Sequence, residues 1–358
     1  MSEKIISIII PCYNVENYID RCFDSLKNQT LGIDKMELIF VNDASADHTL
    51  DYLMKYEQEY SESVMVINFP ENQRQGTARN VALEYASAPY IGYVDSDDWV
   101  EPDMFEKMVD TIERYQCDFV QCQWDYAKSM DNRQPTKCFG KTGFYDLTKP
   151  EEFKEFIRSK VALVSPWDKV FRKDFLLENN IFFPEKIRNE DIFFVYLSFV
   201  YAKSYYYMED VLYHYFVNET GTMRQKKGAH QFEKMTVSFG YLQECINRGL
   251  WMENPNTEAE RNQKDAIEWM FLERYYVYML WECFEQFPEQ AYERYLEMKE
   301  TIKEWVPAYQ SNPYRKEEGN EFDNLMLKLL DYDLDELQFE KLRKDMLNKI
   351  GAKDAQEF

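Results

Sequence analysis

The chain has 358 residues, is 45% apolar and 16% aromatic, and carries a formal net charge of −23. That length supports one large domain or two ordinary ones with a sizeable core, and the apolar fraction excludes a disordered chain. So acidic a chain also excludes a general nucleic-acid backbone binder and a polybasic membrane anchor.

From the N-terminus, Ile5 to Ile10 is a continuous apolar, β-branched run interrupted only by Ser7 and stopped at Pro11, the pattern of a buried parallel strand. Val15 to Gln29 has helical spacing at Tyr18, Ile19, Cys22, Phe23 and Leu26. Glu37 to Val41 reads as a second strand, Thr49 to Tyr60 as a helix, Val64 to Phe69 as a third strand, Gly76 to Ala86 as a helix and Tyr90 to Val94 as a fourth strand. Strand and helix alternate, so the fold class is α/β with a mainly parallel sheet flanked by helices. Right-handed crossovers place the strand C-ends on one edge, where open α/β sheets bind ligands.

Met104 to Arg114 then reads as a helix and Asp118 to Asp125 as a strand, while 127–150 is polar and reads as a loop. A helix over Phe153 to Val161, a strand or turn at Trp167 to Phe171, a short helix over Asp174 to Asn179, a helix from Asn189 to Tyr201 and strand segments over Tyr205 to Tyr215 follow. From about residue 225 strand signals stop. Helical periods cover 230–248, 257–287, 289–304 and 322–349, broken near Pro255, Pro288, Pro307 and Pro313. The expected division is a first domain over 1–222 and an α-helical C-terminal region over 223–358.

The seven cysteines are odd in number, scattered and without a Cys-x-x-Cys pair, which suits buried free thiols better than disulfides or zinc. No run approaches the ~20 apolar residues of a membrane span. The chain passes from Lys4 straight into a strand-like run, so a cytoplasmic protein is expected.

The predicted sheet edge gathers Pro11-Cys12-Tyr13-Asn14, Asn42-Asp43-Ala44-Ser45, the loop before Gly76, and Asp95-Ser96-Asp97-Asp98. The first loop is not Gly-x-Gly-x-x-Gly, and no Gly-Lys-Ser/Thr loop occurs, which argues against a dinucleotide-binding domain and a phosphate-loop NTPase. Three carboxylates in four positions suit a hard divalent cation that shares oxygen ligands with phosphates. An acidic turn is the plainer alternative.

Five ordered stretches carry a resemblance: Ile8 to Asn14, Val41 to Asp47, Asn72 with Gly76-Thr77-Ala78-Arg79-Asn80, Asp95 to Asp98, and Asn189-Glu190-Asp191. Together they resemble family 2 glycosyltransferases with the GT-A fold, over roughly residues 5–220. The resemblance implies a UDP-sugar donor, a Mn²⁺ or Mg²⁺ cofactor and inversion at the anomeric carbon. By that resemblance Pro11, Tyr13, Asn14, Asp43, Gly76, Arg79, Asp95 and Ser96 would bind the nucleotide-sugar. Tyr13 would stack on the base and Asp43 would accept from uracil, against a core tyrosine and a helix cap as the plainer alternatives. Asp97, with Asp95, would hold the metal, and His214 would add a ligand. Asp191 would be the general base and Glu190 its neighbour, although acids at a helix start also suit the helix dipole.

Trp167 and Lys169 would line an acceptor pocket; a core Trp is the alternative. Arg224, Lys226 and Lys227 form a basic spot that could reach a diphosphate. The implied function is metal-dependent, inverting transfer of a sugar to a glycan or lipid-linked glycan hydroxyl in cell-surface polysaccharide synthesis. A nucleotidyltransferase and a non-catalytic nucleotide-sugar-binding scaffold are the alternatives. No nucleic-acid partner is expected. Peripheral membrane association and a homodimer through the C-terminal helices are open.

Overall fold

The first strand, β1 (Ile6–Cys12), is buried along its whole length, as a central strand covered on both faces must be. It lies between β2 (Met36–Asn42) and β4 (Tyr90–Tyr93), parallel to both, and β3 (Val64–Asn68) continues the parallel set beyond β2. The crossovers are helices α1 (Ile19–Lys27), α2 (Thr49–Glu59) and α3 (Arg74–Tyr85). The computed structural model describes residues 3–136, 140–159, 164–217, 229–315 and 321–350. It divides into two compact units, 1–226 and 227–358.

After β4 come β5 (Trp99–Val100), α4 (Met104–Tyr115), β6 (Phe119–Ser129), β7 (Asn132–Pro135), β8 (Gly143–Asp146), α5 (Pro150–Arg158), β9 (Lys169–Arg172), α6 (Lys173–Glu178), α7 (Glu190–Tyr201) and β10 (Ser204–Phe216). The sheet order is β3-β2-β1-β4-β9-β6-β10-β5, with β7 beside β6 and β8 beside β10. β9 runs antiparallel to β4 and β6, and β10 runs parallel to β6. The segment 127–150, expected as loop, instead holds the end of β6, then β7 and β8. β7 is exposed at every position, so no apolar alternation announces it.

One close approach fixes the lead-in to α7. A Cβ on Gly76 of α3 would stand 2.4 Å from the Pro184 carbonyl oxygen and 3.1 Å from Glu190 Cγ. Asn80, one turn on, donates to the Phe183 carbonyl at 2.8 Å and accepts from the Phe183 N–H at 2.9 Å. One face of α3 is thus a dock for the chain that leads into α7.

The second unit contains α8 (Glu233–Asn247), α9 (Glu258–Leu272), α10 (Met279–Gln286), α11 (Pro288–Trp305), α12 (Glu321–Lys328) and α13 (Glu336–Ile350). Thr257 and Glu260 form a capping box at the start of α9, and Pro288 opens α11 where its missing N–H costs nothing. A π-helical segment, Glu273–Tyr278, joins α9 to α10. The single period expected over 322–349 is two helices. Among the described residues no helix is long and apolar enough to cross a membrane. The six cysteines other than Cys138 are buried and free, as their scatter suggested; Cys138, like Arg224, Lys226 and Lys227, lies outside the described residues.

Replacing Gly76 with Ala forces the Pro184 backbone away from α3. We expect a loss of about 1–3 kcal/mol in urea unfolding of the first unit, the cost of overpacking a rigid contact.

Candidate active site

The loops after β1 and β2 are laced together. Asn14 Oδ1 accepts from the Ala46 N–H at 2.8 Å, and the Asn14 N–H reaches Ser45 Oγ at 3.0 Å. The Asp47 carboxylate accepts from the N–H groups of Thr49 (3.0 Å) and Glu16 (3.1 Å), so Asp47 caps the start of α2. The third loop is tied in by Asp43, which accepts from the N–H groups of Gln73 (2.6 Å) and Arg74 (2.9 Å). Burial raises the Asp43 pKa, and those two N–H groups oppose the rise.

These loops carry strain. Among the described residues seven non-glycine positions have positive φ; Asn14, Ala44 and Asn189 lie in loops of this edge and Arg74 is the first residue of α3. Such conformations persist where surrounding contacts over-determine them, and they cluster at functional sites.

The acid loop divides by environment. Asp98 is 1% exposed; it accepts from the Tyr213 hydroxyl at 2.6 Å and the Phe216 N–H at 2.7 Å. Burial first, then the charges of Asp97 and Asp95, raise its pKa well above the usual carboxylate range. Asp98 therefore anchors the loop to β10. The Tyr213 hydroxyl also accepts from the Asp95 N–H at 3.1 Å. On the other side, Arg21 of α1 donates to the Asp97 carbonyl at 2.5 Å. Its guanidinium sits 4.2 Å from the ring centroids of both Trp99 and Phe216. Asp95 and Asp97 are only half-buried.

Arg79 joins the acid loop to α7. It is 2% exposed and donates to Asp95 Oδ1 at 2.8 Å, to Glu190 Oε1 at 2.6 Å and to Gln75 Oε1 at 3.2 Å. Burial opposes its charge, but Asp95, Glu190 and Asp191 outweigh that and hold the guanidinium more firmly ionised than usual. Asp191 follows Glu190 in the first turn of α7, where negative charge suits the dipole. Its Oδ1 accepts from the Ile192 N–H at 3.0 Å. Burial, then the charge of Glu190, push its pKa up to about 7, with Arg79 restraining the rise. A half-buried carboxylate that titrates near neutrality has the affinity a general base needs.

The expected site residues thus separate. Tyr13, 51% exposed, presents its ring at the edge. Pro11 is a buried strand residue opposite Val41, and Ser96 is buried against the Cys12 thiol. Asn14 braces the second loop, and Gly76 answers a packing demand from Pro184. Arg79 spends its two terminal nitrogens on Asp95, Glu190 and Gln75. Lys169 does not line a pocket: it is 0% exposed and paired with Asp168 at 2.8 Å, because the side chain points into the core beneath β9. Trp167 is 8% exposed and stacks on Tyr213 at 4.3 Å.

His214 is buried with Nδ1 2.8 Å from Asp125 and Nε2 3.0 Å from Glu101. Ligation would require it to give up one of these. Among the described residues no group of three ligating side chains gathers to hold a metal alone. Arg21 and Tyr213 were not anticipated, since the sequence offers no local sign that an α1 cation and a β10 phenol grip the acid loop.

A mainly parallel sheet flanked by helices, whose C-terminal edge gathers Tyr13, the acid loop and the acidic first turn of α7, is the architecture of the GT-A glycosyltransferases, and the comparisons agree. A crystal structure of S. aureus TarS superposes with TM-score 0.59, at 25% identity over 75% of this chain and 43% of that one. The TarS 1–349 complex with UDP-GlcNAc gives 0.57, at 22% identity over 87% of this chain and 93% of that one. The Bacillus subtilis (strain 168) protein described as putative glycosyltransferase EpsH is 30% identical over 275 residues, 75% of each chain. A Bacillus spizizenii poly(ribitol-phosphate) beta-glucosyltransferase is 32% identical over 217 residues, 60% of this chain but 33% of its own. The Glycosyl transferase family 2 model matches residues 7–176. The chain belongs to glycosyltransferase family 2 and is a glycosyltransferase.

Removing the shared cation should expose its role. Arg79→Met leaves Asp95 and Glu190 without their partner, and we expect a loss of about 3–5 kcal/mol in chemical denaturation. Arg79→Lys should recover only part, because one ammonium cannot reproduce the planar fork.

Proposed function

We propose that the protein transfers a sugar from a UDP-sugar to a hydroxyl of a glycan acceptor, with inversion, in cell-surface polysaccharide synthesis. The observation that carries this reading is Asp191, a carboxyl with pKa raised to about 7 on a helix tied through Glu190 and Arg79 to Asp95 of the acid loop. Support for a UDP-sugar comes from the TarS complex, in which that protein binds UDP-GlcNAc. Support for a surface-glycan role comes from relatives described as poly(ribitol-phosphate) glycosyltransferases. Family membership sets aside the nucleotidyltransferase and scaffold readings.

In this mechanism Tyr13 offers its exposed ring to the base. Asp43, with both oxygens already bonded to N–H groups, keeps lone pairs for an imide donor. The donor set fits a hard cation: Asp97 and the Asp95 carboxylate are partly open, and Mg²⁺ or Mn²⁺ at such sites combines one or two carboxylates with phosphate oxygens. A cation there would neutralise charge on the leaving diphosphate. Asp191 takes the proton of the acceptor hydroxyl. The oxygen forms its bond to the anomeric carbon as the bond from that carbon to the diphosphate oxygen breaks, and UDP departs from the opposite face. Glu190, paired with Arg79, orients α7.

UDP should bind about tenfold or more tightly with Mn²⁺ than with EDTA in calorimetry; equal affinities would remove the metal from the mechanism. In a donor screen reading UDP release, Asp191→Asn should keep UDP-sugar binding and lose on the order of 10²–10⁴ in rate. Wild-type release should fall as pH drops through about 7, because below that pH Asp191 holds a proton and cannot accept another. A flat profile between pH 6 and 8 would dismiss Asp191 as the base.

A further inference from the structure

One edge of α1 grips the chain that follows β4. Arg21 and Ser25 of α1, and Gln29 just past its end, stand four residues apart and so follow that edge. Arg21 donates to the Asp97 carbonyl at 2.5 Å. Ser25 Oγ accepts from the Val100 N–H at 3.3 Å. Gln29 donates to the Glu101 carbonyl at 2.7 Å and accepts from the Phe105 N–H at 3.1 Å. All of these bonds go to main chain, so the helix edge sets the path of the acid loop and leaves its carboxylates to other partners.

Ser25 and Gln29 do this with neutral groups. Beside the acids the same task falls to a guanidinium, and there it is costly. Arg21 is half-buried, and its Nε is buried with no hydrogen-bond partner among the described residues. Burial lowers its pKa, while the charges of Asp98 and Asp97 oppose that fall. A carbonyl alone needs only a neutral donor. The charge answers the acids, three carboxylates in four positions that repel one another.

The guanidinium is also fixed in direction. Trp99 and Phe216 sandwich it, each ring centroid 4.2 Å away. Tyr18, at the start of α1, meets Phe216 at 5.4 Å, and the Phe216 N–H donates to Asp98 at 2.7 Å. Arg21 cannot swing away without parting two rings that are themselves tied to the acid loop and to α1.

We propose that Arg21 is a positioning residue for the divalent cation: from behind the acid loop it holds the Asp97 main chain and offsets the repulsion among the acids, so that the loop keeps its metal-binding form without the metal. This rests on the metal-dependent transferase reading above. The sign of the effect separates positioning from charge. By charge alone, a cation beside a cation site opposes the metal, and removing it would tighten metal binding. Removing a positioning group loosens it.

Mn²⁺ binding to the full chain, read by electron paramagnetic resonance, tests this without turnover, and calorimetry follows UDP with Mn²⁺ and with EDTA. Arg21→Met, which loses the charge and the donor, should weaken Mn²⁺ binding about tenfold and UDP binding with Mn²⁺ by a similar factor, while UDP affinity in EDTA stays within about twofold of wild type. Arg21→Lys keeps a charge and a donor and should return to within about threefold of wild type. Phe216→Leu, which removes one ring of the sandwich and keeps Arg21, should weaken Mn²⁺ binding about threefold. Circular dichroism melts establish which variants are folded; if Arg21→Met is not, Phe216→Leu decides, and Mn²⁺ binding like wild type in it overturns the assignment. So would unchanged or tighter Mn²⁺ binding in Arg21→Met, an equal loss of UDP affinity with and without the metal, or Arg21→Lys no better than Arg21→Met. Failure of the underlying reading is separate. If the wild-type chain binds UDP equally with Mn²⁺ and EDTA, the metal leaves the mechanism and the role of Arg21 goes with it; if wild type depends on Mn²⁺ and the variants match it, the role of Arg21 falls alone.

Discussion

A single buried guanidinium holds the two halves of this site in register. Arg79 has an acid from the loop after β4 on one side and an acid from the first turn of α7 on the other, at 2.8 and 2.6 Å. Burying a charge is costly unless it is paired and hydrogen-bonded, and here each of the three groups is tolerable because of the others. The arrangement also sets the chemistry of the next residue. Glu190 has its cation, while Asp191 feels the negative charge of Glu190 and its own burial. Its proton affinity is therefore raised first by burial and then by Glu190, and Arg79 restrains the rise.

Much of the rest of the edge is framework. Asn14, Asp47, Asn80, Asp98 and Gly76 bond to or make room for backbone, and so fix loops whose own conformations are unfavourable. Rigid support of this kind is what an ordered binding constellation requires, because a misplacement of an ångström in a reacting group is costly.

The parallel half of the sheet was legible because buried parallel strands are near-continuous apolar runs, and β1, β2, β3 and β4 all begin or end within two residues of where such runs do. The exposed strand β7 and the half-buried β8 left no such mark, since neither is a buried apolar run. At the site, local motifs located the acid loop and the acidic first turn of α7. What they could not supply was direction. Lys169 looks as available as Trp167 in the sequence, yet it turns inward to Asp168. The grip of Arg21 and Tyr213 on the acid loop joins segments far apart in the chain, and no spacing encodes it.

Strand β10 reaches its position by an irregular path. Between Tyr207 and Tyr213 its register against β6 slips twice, and only afterwards do Tyr213 and Trp124 stand opposite one another. Side chains alternate faces along a strand, so a slip of one residue exchanges the faces of everything beyond it. With one residue fewer in that stretch, His214 would occupy the row of the acid-loop hook, and the phenol that holds Asp95 and Asp98 would turn to the far side. In this stretch the number of residues is therefore held more tightly than their identity. Homologous chains could vary the exposed Glu209 and Asp210 widely, whereas Met208 and Leu212 are buried in the core, and a single insertion or deletion there would separate the acid loop from the strand that steadies it.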